Sequence, residues 1–401
     1  MPDQCDVLTQ RLDRAQAGDW DALLQWTRRQ NLTYRLWRTI VQHRLQHLVP
    51  EAARQTLRQA SLYSIAEDQR RQGDIRTILD ALHQAHIDVI PLKGAYLAYA
   101  AYKDSWVRPM SDLDWLVRKE DTFTALDVMR GIGWSPPPTG PGFTDFMDTE
   151  DGTTPLFKDG HTAVEVHWAL EAPKSGLAID MEDVWHRSRL DRLLGQPCRT
   201  LSPEDFLLHV CIHAGYHHRF HVGLSTLYDV AACIRHRPPD WTVLDQRMRD
   251  WGVHQAVGTF LVLAQNLAEA PLPPEFGARL HRELAWAVEQ AEWLMCEVYP
   301  FATDGWSIVK LLDDFRRGKA PWPVRLWRLL MPKPEVMEQA FRQPQQAGLS
   351  RVYLSRARDR IASAYAALAR LVTSSRERRA VRAELDLCRL YESTPNLTDK
   401  L

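Results

Sequence analysis

The sequence predicts an α+β fold in which a small mixed sheet lies between helical regions. Short apolar runs of strand character are concentrated in the middle of the chain, between about residues 86 and 168. Before them, apolar residues recur at three- and four-residue steps, and the same helical periodicity returns after about residue 202 and continues along the chain. We therefore expect N-terminal helices, a small central sheet and a large C-terminal helical region.

Composition limits the class of protein. The chain has 401 residues, which exceeds the length that a single hydrophobic core usually supports. We therefore expect an N-terminal helical region at 1–80, an α/β core at 81–200 and a C-terminal helical domain at 201–401. The formal net charge of −1 provides no overall basic field, so long nucleic acid is not expected as a partner. Six cysteines without C-x-x-C spacing, and no long apolar run, favour a cytoplasmic protein without a membrane span.

Local signals define the elements of the central unit. In chain order, the sequence predicts a helix at 74–85, a strand at 86–92, a helix at 95–102, a strand at 112–118, a helix at 121–130 and a hairpin at 156–168. The Asp159-Gly160 step suits the hairpin turn. Ser202 is a suitable N-cap for a helix that begins at Pro203.

Two carboxylates lie two residues apart in the second predicted strand. Because successive side chains of a strand point to opposite faces, Asp112 and Asp114 share one face. Two like charges held side by side at the edge of a core are costly unless a cation neutralises them, and carboxylate oxygens suit Mg²⁺. The alternative is a strand end whose two aspartates point into water.

A third carboxylate falls in the last predicted strand. Glu165 and His167 share one face there, and Val164 and Val166 share the other. If this strand pairs beside the strand of Asp112, three acidic groups converge and can hold two metal ions for phosphoryl-type transfer. Without that pairing, Glu165 is an ordinary strand residue that is hydrogen-bonded within the protein or faces solvent.

A turn and an arginine ahead of the acidic strand are candidates for phosphate binding. Gly94 joins a strand to a helix, so the backbone can approach a phosphate at the positive helix N-terminus, where Lys93 can meet its charge. Arg108 precedes the acidic strand closely enough to reach a triphosphate. The alternatives are that Gly94 only forms a turn and that Arg108 is an ordinary surface residue.

The order of these motifs resembles that of a known family. The residues that carry the resemblance are Leu92 to Gly94, Arg108, Ser111 to Val117, Val164 to Trp168, His209, His213 and Leu227 to Val230. Over roughly residues 20 to 270 they resemble the uncharacterised nucleotidyltransferase family of the DNA polymerase beta-like superfamily. The resemblance implies a polymerase-beta-like core and metal-dependent transfer of a nucleoside monophosphate from an NTP such as ATP, with release of pyrophosphate.

The resemblance also implies roles for individual residues. Catalytic and metal-binding roles, for Mg²⁺ or Mn²⁺, fall to Asp112, Asp114 and Glu165. Nucleotide binding falls to Lys93, Gly94, Arg108 and Ser111. Many members of the superfamily have Gly-Ser or Gly-Gly in the phosphate turn where this chain has Gly94-Ala95, and we expect the charge of Lys93 to compensate.

Several histidines follow at helical spacing. His209 and His213, and then His213 and His217, are four residues apart, so all three can share one helix face. No H-E-x-x-H motif is present, which disfavours catalytic zinc. We predict contacts of His213 and His217 with the acceptor or with phosphates, and the same for His167 and Asp229. Structural roles are the alternative.

The sequence thus predicts a metal-dependent nucleotidyltransferase that acts on a hydroxyl-type acceptor. Near-neutral charge favours a small molecule, peptide or protein as the acceptor. An RNA end such as tRNA is the alternative if the arginine-rich helices after residue 355 form a basic patch. Transfer of a phosphoryl or sugar group from a nucleotide donor on the same fold is a second hypothesis. A noncatalytic nucleotide-binding module is a third.

Overall fold

The fold is mostly helical, with a small mixed sheet near the middle of the chain. The computed structural model describes residues 4–136, 151–172, 175–218, 220, 222–298 and 375–392. The helices are α1 (Gln4–Arg14), α2 (Ala17–Arg29), α3 (Thr33–Gln42), α4 (Glu51–Gln84), α5 (Lys93–Ala100), α6 (Thr122–Gly131), α7 (Met181–Arg187), α8 (Pro203–Ile212), α9 (Ser225–His236), α10 (Trp241–Asp250), α11 (His254–Ala268), α12 (Pro274–Trp293) and α13 (Ser375–Glu392). The strands are β1 (Val89–Pro91), β2 (Asp112–Val117), β3 (Ala163–His167), β4 (Arg189–Leu193) and β5 (Gln196–Thr200). The predicted α+β class is confirmed.

β2 is the central strand of the three-stranded sheet. β1 pairs with it antiparallel, with Val89 opposite Val117, and β3 pairs with it parallel, with Asp114 opposite Glu165. A parallel pair needs a crossover connection, and the chain between β2 and β3 includes α6. The mixed sheet is therefore as predicted, and its register places the two acidic strands side by side.

The face of the sheet opposite Asp114 and Glu165 is apolar. Leu113 and Trp115 of β2, and Val164 and Val166 of β3, have no exposed surface. Full burial of one such side chain contributes about 1.5–3 kcal/mol. A slip of one residue in either strand would turn the carboxylates into this core, so the apolar face stabilises the register that aligns them.

Part of the predicted hairpin at 156–168 is present. Leu156 and Val164 form an antiparallel bridge, and the N–H of His161 donates to the carbonyl of Lys158. Gly160 has a φ of 73°, a left-handed conformation that glycine adopts without steric cost. β3 therefore has β2 on one side and bridges to the preceding segment on the other.

Helix α4 is longer than its sequence suggests. The sequence predicts a separate helix from residue 74, whereas α4 runs continuously through Gly73. Glycine inside a helix costs about 1 kcal/mol relative to alanine, but the turns that follow bury Ile75, Ile78 and Leu79 completely. Packing of this apolar face into the large buried cluster, beside β5 and α6, outweighs the local cost, since tertiary burial provides most of a helix's stability.

The helical prediction after residue 202 is confirmed where that region is described. Ser202 caps α8 by accepting a hydrogen bond of 3.1 Å from the N–H of Asp205. Helices α9 to α12 follow in order, and α13 packs on α12. None of the described helices is long and apolar enough to cross a membrane.

Buried apolar side chains form two clusters among the described residues. A small cluster joins α1 to the first part of α4 and includes Trp20, Ile40 and Leu57. A large cluster joins the sheet, the second half of α4 and helices α8 to α13. The boundaries near residues 80 and 200 stay a prediction, and the packing is continuous across both positions.

A second hairpin, formed by β4 and β5, has no counterpart in the sequence prediction. Its turn residues Leu194 and Gly195 have positive φ values of 52° and 87°, as a two-residue hairpin turn requires. Leucine is an unusual residue for the first of these positions, and neither strand alternates clearly between polar and apolar residues. The hairpin packs through β5 against β1 and α4, so tertiary contacts stabilise it where local signals are weak.

Candidate active site

The carboxylates of β2 and β3 meet on the polar face of the sheet. Because Asp114 lies directly opposite Glu165 in the parallel register, their side chains project side by side. Asp114, Glu165 and His167 each offer a ligand atom, and these three atoms all lie within 4.8 Å of one another. Asp112 is half-buried at the start of β2, on the same face as Asp114. The three predicted carboxylates therefore share one face.

Asp114 is almost fully buried, with 3% of its side chain exposed. Its Oδ1 accepts hydrogen bonds from Lys93 Nζ and His167 Nε2, each 2.9 Å long. Burial alone would raise the pKa of Asp114. The hydrogen bond from His167 and the charge of Lys93 outweigh burial and hold that pKa well below its usual value. Asp114 is therefore ionised and paired on both sides.

Asp112 has different electrostatic surroundings. Burial and the negative charge of Asp114 raise the pKa of Asp112, and the charge of Lys93 offsets this only in part. Its Oδ1 accepts a hydrogen bond of 3.0 Å from the hydroxyl of Ser111, which the sequence assigned to nucleotide binding. A carboxylate in these surroundings gains from a bound divalent cation.

His167 is held in place by the segment that precedes the hairpin. Its Nε2 lies 2.9 Å from Asp114 and 3.5 Å from Glu165, and its Nδ1 lies 3.8 Å from Oδ2 of Asp151. Gly152 packs on the ring, since a Cβ there would lie 2.5 Å from Nδ1. Burial alone would lower the pKa of His167, but the hydrogen bond to Asp114 and the nearby carboxylates of Asp151 and Glu165 raise that pKa well above its usual value. Without a bound metal ion, His167 is therefore a second cation beside Asp114, and a metal ion held by its Nε2 would displace the proton from that nitrogen.

Sequence reasoning did not identify Asp151 and Gly152 as site residues. An Asp-Gly step is an ordinary turn signal, and no local pattern links it to a residue on the far side of a hairpin. The antiparallel bridge between Gly152 and His167 brings them together.

Lys93 and Gly94 form the junction between β1 and α5. Lys93 has a φ of 42°, an uncommon conformation for a residue with a side chain. Burial would lower the pKa of Lys93, but the charge of Asp114 and the hydrogen bond to it raise that pKa. A Cβ on Gly94 would collide with Nη1 of Arg108 and lie 2.6 Å from Sδ of Met110. Gly94 thus permits close packing of Arg108, whereas the sequence predicted an approach of its backbone to phosphate.

Arg108 and Asp229 pair with each other. The sequence predicted a triphosphate contact for Arg108 and an acceptor or phosphate contact for Asp229. Those contacts stay predictions. Nε and Nη2 of Arg108 donate to the two oxygens of Asp229, at 2.9 and 2.8 Å, and the hydroxyl of Tyr102 donates to the same carboxylate at 2.5 Å. The two side chains of the pair are 17% and 8% exposed. A charge this deeply buried requires a partner, and this pair joins the segment before β2 to α9.

The histidine segment departs from α-helical geometry. α8 ends at Ile212, and His213–His217 form a π-helical turn. Because a π-helix aligns residues five apart, His213 meets His218, with their Nε2 atoms 3.1 Å apart. The alignment of His213 with His217 assumed α-helical spacing. The side chain of His217 lies outside the described part of the chain, so its predicted contact stays a prediction.

The donor set of the cluster suits a hard divalent cation. Carboxylate oxygens are the ligands that Mg²⁺ and Mn²⁺ prefer, and an imidazole nitrogen is acceptable to Mn²⁺. The ligand atoms of Asp114, Glu165 and His167 are close enough to share one ion. The residues present therefore fit the metal ions predicted from the sequence.

A mixed sheet whose central strand carries two aspartates beside a glutamate of the parallel neighbour is the arrangement expected of a nucleotidyltransferase. The family model described as an uncharacterised nucleotidyltransferase matches residues 16–269, and the chain belongs to this family. The match covers the sheet, the Lys93 turn and the histidine segment, and it confirms the resemblance predicted from the sequence. Comparison with curated proteins and comparison with solved structures each gave no significant match.

Proposed function

We propose that this chain is a metal-dependent nucleotidyltransferase that moves a nucleoside monophosphate from an NTP to a hydroxyl-type acceptor and releases pyrophosphate. The observation that carries this proposal is the register of β2 and β3, which sets Asp114 beside Glu165 with their ligand atoms within 4.8 Å. Membership of the nucleotidyltransferase family supports it.

The carboxylates have different roles in this proposal. Asp112, Asp114 and Glu165 bind the metal ions, Mg²⁺ or Mn²⁺, and His167 completes the donor set. When bound, the ions neutralise charge on the transferring phosphate and favour ionisation of the attacking hydroxyl. Glu165 is more open to solvent than Asp114, with 23% of its side chain exposed, and is the carboxylate placed to accept the proton of the acceptor.

Lys93 provides positive charge for the nucleotide phosphates. Its ammonium group is 2.9 Å from Asp114, and the residue begins α5. A phosphate bound beside Asp114 would therefore meet a cation and a helix N-terminus together. Ser111 belongs to the nucleotide-binding set through its bond to Asp112, whereas Gly94 and Arg108 shape the turn that presents Lys93.

Composition guides the proposal for the acceptor and the compartment. A net charge of −1 favours a small molecule, peptide or protein acceptor over long nucleic acid. An RNA end such as tRNA is the alternative, and residues 355–374 of its predicted basic stretch lie outside the described part of the chain. Cysteines 198, 211, 233 and 296 are free thiols, which supports a reducing, cytoplasmic location.

Product analysis tests the proposed function. The purified chain is incubated with each of the four NTPs, Mg²⁺ and a cell extract as the source of acceptor, and pyrophosphate and product masses are measured. We expect pyrophosphate together with an adduct of nucleoside monophosphate mass. Chelation of the metal should abolish both, and Asp112→Asn or Glu165→Gln should reduce them by about 100-fold or more.

The control is Asp127→Asn on α6, whose carboxylate is 72% exposed and outside the cluster. This variant should retain wild-type activity. An adduct of phosphoryl or sugar mass would favour the alternative transfer reactions. NTP binding without any product in the wild type would favour a noncatalytic nucleotide-binding module.

A further inference from the structure

A cleft between α3, α4 and the segment that follows α5 lies apart from the carboxylate cluster. Its volume is about 540 Å³, within the range of small-molecule pockets, about 300–1,000 Å³. Side chains of α3, of α4 and of residues 103–106 line it. None of the lining residues belongs to the group of Asp114, Glu165 and His167. The proposed reaction therefore gives this cleft no role.

Two contacts hold the walls of the cleft together. The guanidinium of Arg38 on α3 donates to the carboxylate of Asp104, and the hydroxyl of Ser64 on α4 donates to the carbonyl of Trp106 at 2.7 Å. Residues 103–106 are thus bound to both helices. A cleft held in this way exists before a ligand arrives, so binding does not have to order its walls.

The lining of the cleft is largely apolar and open to solvent. The indoles of Trp37 and Trp106 line it and are half-buried. Val41 and Leu62 line it as well, and they are 41% and 56% exposed. Removing such surface from water on ligand binding is favourable, and indole rings pack well against other aromatic rings. A flat aromatic ring is therefore the ligand body that this lining suits.

The charged side chains of the cleft are mostly basic. Arg38, Arg58 and Lys103 line it together with one carboxylate, that of Asp104, and Arg38 pairs with Asp104. Arg58 and Lys103 are exposed and form no ion pair with any residue in the described ranges. Exposed cations without a partner are ordinary on a protein surface. Beside an aromatic lining, however, they favour a ligand that also carries negative charge.

We propose that this cleft binds a small organic anion with a flat aromatic body. The ring of the ligand packs on Trp37 and Trp106, and its anionic group is bound by Arg58 and Lys103. The volume of the cleft sets the size of the ligand to that of a small molecule. This inference does not depend on the proposed function, because no residue of the carboxylate cluster takes part in it.

Three matched ligands test the two parts of the proposal. Naphthylacetate has an aromatic ring system and a carboxylate, naphthylacetamide has the same rings without the charge, and decahydronaphthylacetate has the charge on saturated rings. Calorimetric titration of the full chain measures the affinity for each. We expect the affinity for naphthylacetate to exceed that for naphthylacetamide by about 10-fold and that for decahydronaphthylacetate by about 3-fold or more.

Two variants locate the ligand. The double variant Arg58→Gln/Lys103→Gln removes both unpaired cations, so the affinity for naphthylacetate should fall by about 10-fold while that for naphthylacetamide stays unchanged. Leu62→Asp places a carboxylate in the lining and should weaken naphthylacetate to a similar extent. Because all three side chains are exposed, the unfolding temperature should remain that of the wild type.

Arg76→Gln and Leu190→Asp are the matched controls. Arg76 is an exposed arginine of the same helix as Arg58 but does not line the cleft, and Leu190 on β4 is 81% exposed. Both variants should bind naphthylacetate as the wild type does.

Three outcomes would overturn the inference. Absence of naphthylacetate binding by the wild type would exclude a site for aromatic anions. Equal affinities for naphthylacetate and naphthylacetamide would exclude selection of negative charge. Unchanged affinity in both cleft variants would place the ligand elsewhere, for example in the cleft lined by Trp241 and Phe276. Each of these results would leave the proposed nucleotidyl transfer intact.

Discussion

At Gly94 the absence of a side chain allows Arg108 to lie against the backbone at the start of α5. The sequence predicts that this residue belongs to a phosphate turn, and that role stays a prediction. The guanidinium cannot move aside easily, because Asp229 holds it by two hydrogen bonds. Glycine is therefore required at this turn because a side chain would have no space. That requirement depends on Asp229 of α9, which holds Arg108 in position.

A pair of glycine-to-alanine substitutions tests this explanation. Gly94→Ala should lower the free energy of unfolding by about 1–3 kcal/mol, because the new methyl group overpacks the contact with Arg108 and Met110. Gly73→Ala, in the interior of α4 with no atom within 4 Å of the added Cβ, should raise it by about 0.5–1 kcal/mol. Urea unfolding of the two variants measures both changes. Equal effects at the two sites would contradict the packing argument.

Among the elements, α9 and the segment before β2 are joined by the Arg108–Asp229 pair. This junction fixes the segment that leads into the acidic strand, so α9 constrains the candidate active site without contributing a residue to the carboxylate cluster. The π-helical turn after α8 has a similar effect at its own position, since it selects His218 as the neighbour of His213. In both cases the geometry of a helix decides which side chains meet.

Asp229→Asn should destabilise the protein by about 3–5 kcal/mol, because it leaves a buried guanidinium without its counter-charge. Combining it with Arg108→Met should recover part of that loss, since both charges are then removed. Urea unfolding of the two single variants and the double variant gives the coupling energy. The exposed pair Arg130–Asp127, with 46% and 72% exposure, is the comparison, and its loss should cost less than about 1 kcal/mol. Similar costs for the two pairs would mean that the Arg108–Asp229 pair is not structural.

For the molecule as a whole, stability should depend on pH through His209. The pKa of His209 is lowered to about 3 in the folded chain, whereas an unfolded histidine titrates near 6.5. Below pH 6.5 the unfolded chain therefore binds a proton that the folded chain does not. The contribution of this difference to the free energy of unfolding is fully present above pH 6.5. It is lost progressively as the pH falls toward 3, by up to about 1.4 kcal/mol per pH unit.

Urea unfolding of the wild type and of His209→Phe at pH 7 and pH 5 measures this dependence. Between these two pH values the wild type should lose about 2 kcal/mol more than the variant, because the other titrating groups are common to both proteins. An identical loss in the two proteins would show that His209 titrates normally in the folded state.

Much of the architecture was predictable because it has local causes. Strand alternation places Asp112 and Asp114 on one face, and the Ser202 cap with Pro203 marks the start of α8. The β4–β5 hairpin was not predictable, since its turn begins with leucine and its strands lack alternation. The separate helix predicted from residue 74 was likewise wrong, because α4 runs on through Gly73 and buries Ile75 and Ile78.

Local chemistry was therefore sufficient to predict the fold class and the family, and to place Asp112, Asp114 and Glu165 on one face of the sheet, because strand periodicity and motif order can be read along the chain. The partners of the charged groups were a different matter. Arg108 meets Asp229 across 121 positions, and Lys93 meets Asp114 across 21. Such pairs form because helices and strands pack in one particular arrangement and a buried charge must find its counter-charge there. The pairing of these charged residues therefore depends on the tertiary structure, and the local sequence pattern does not predict it.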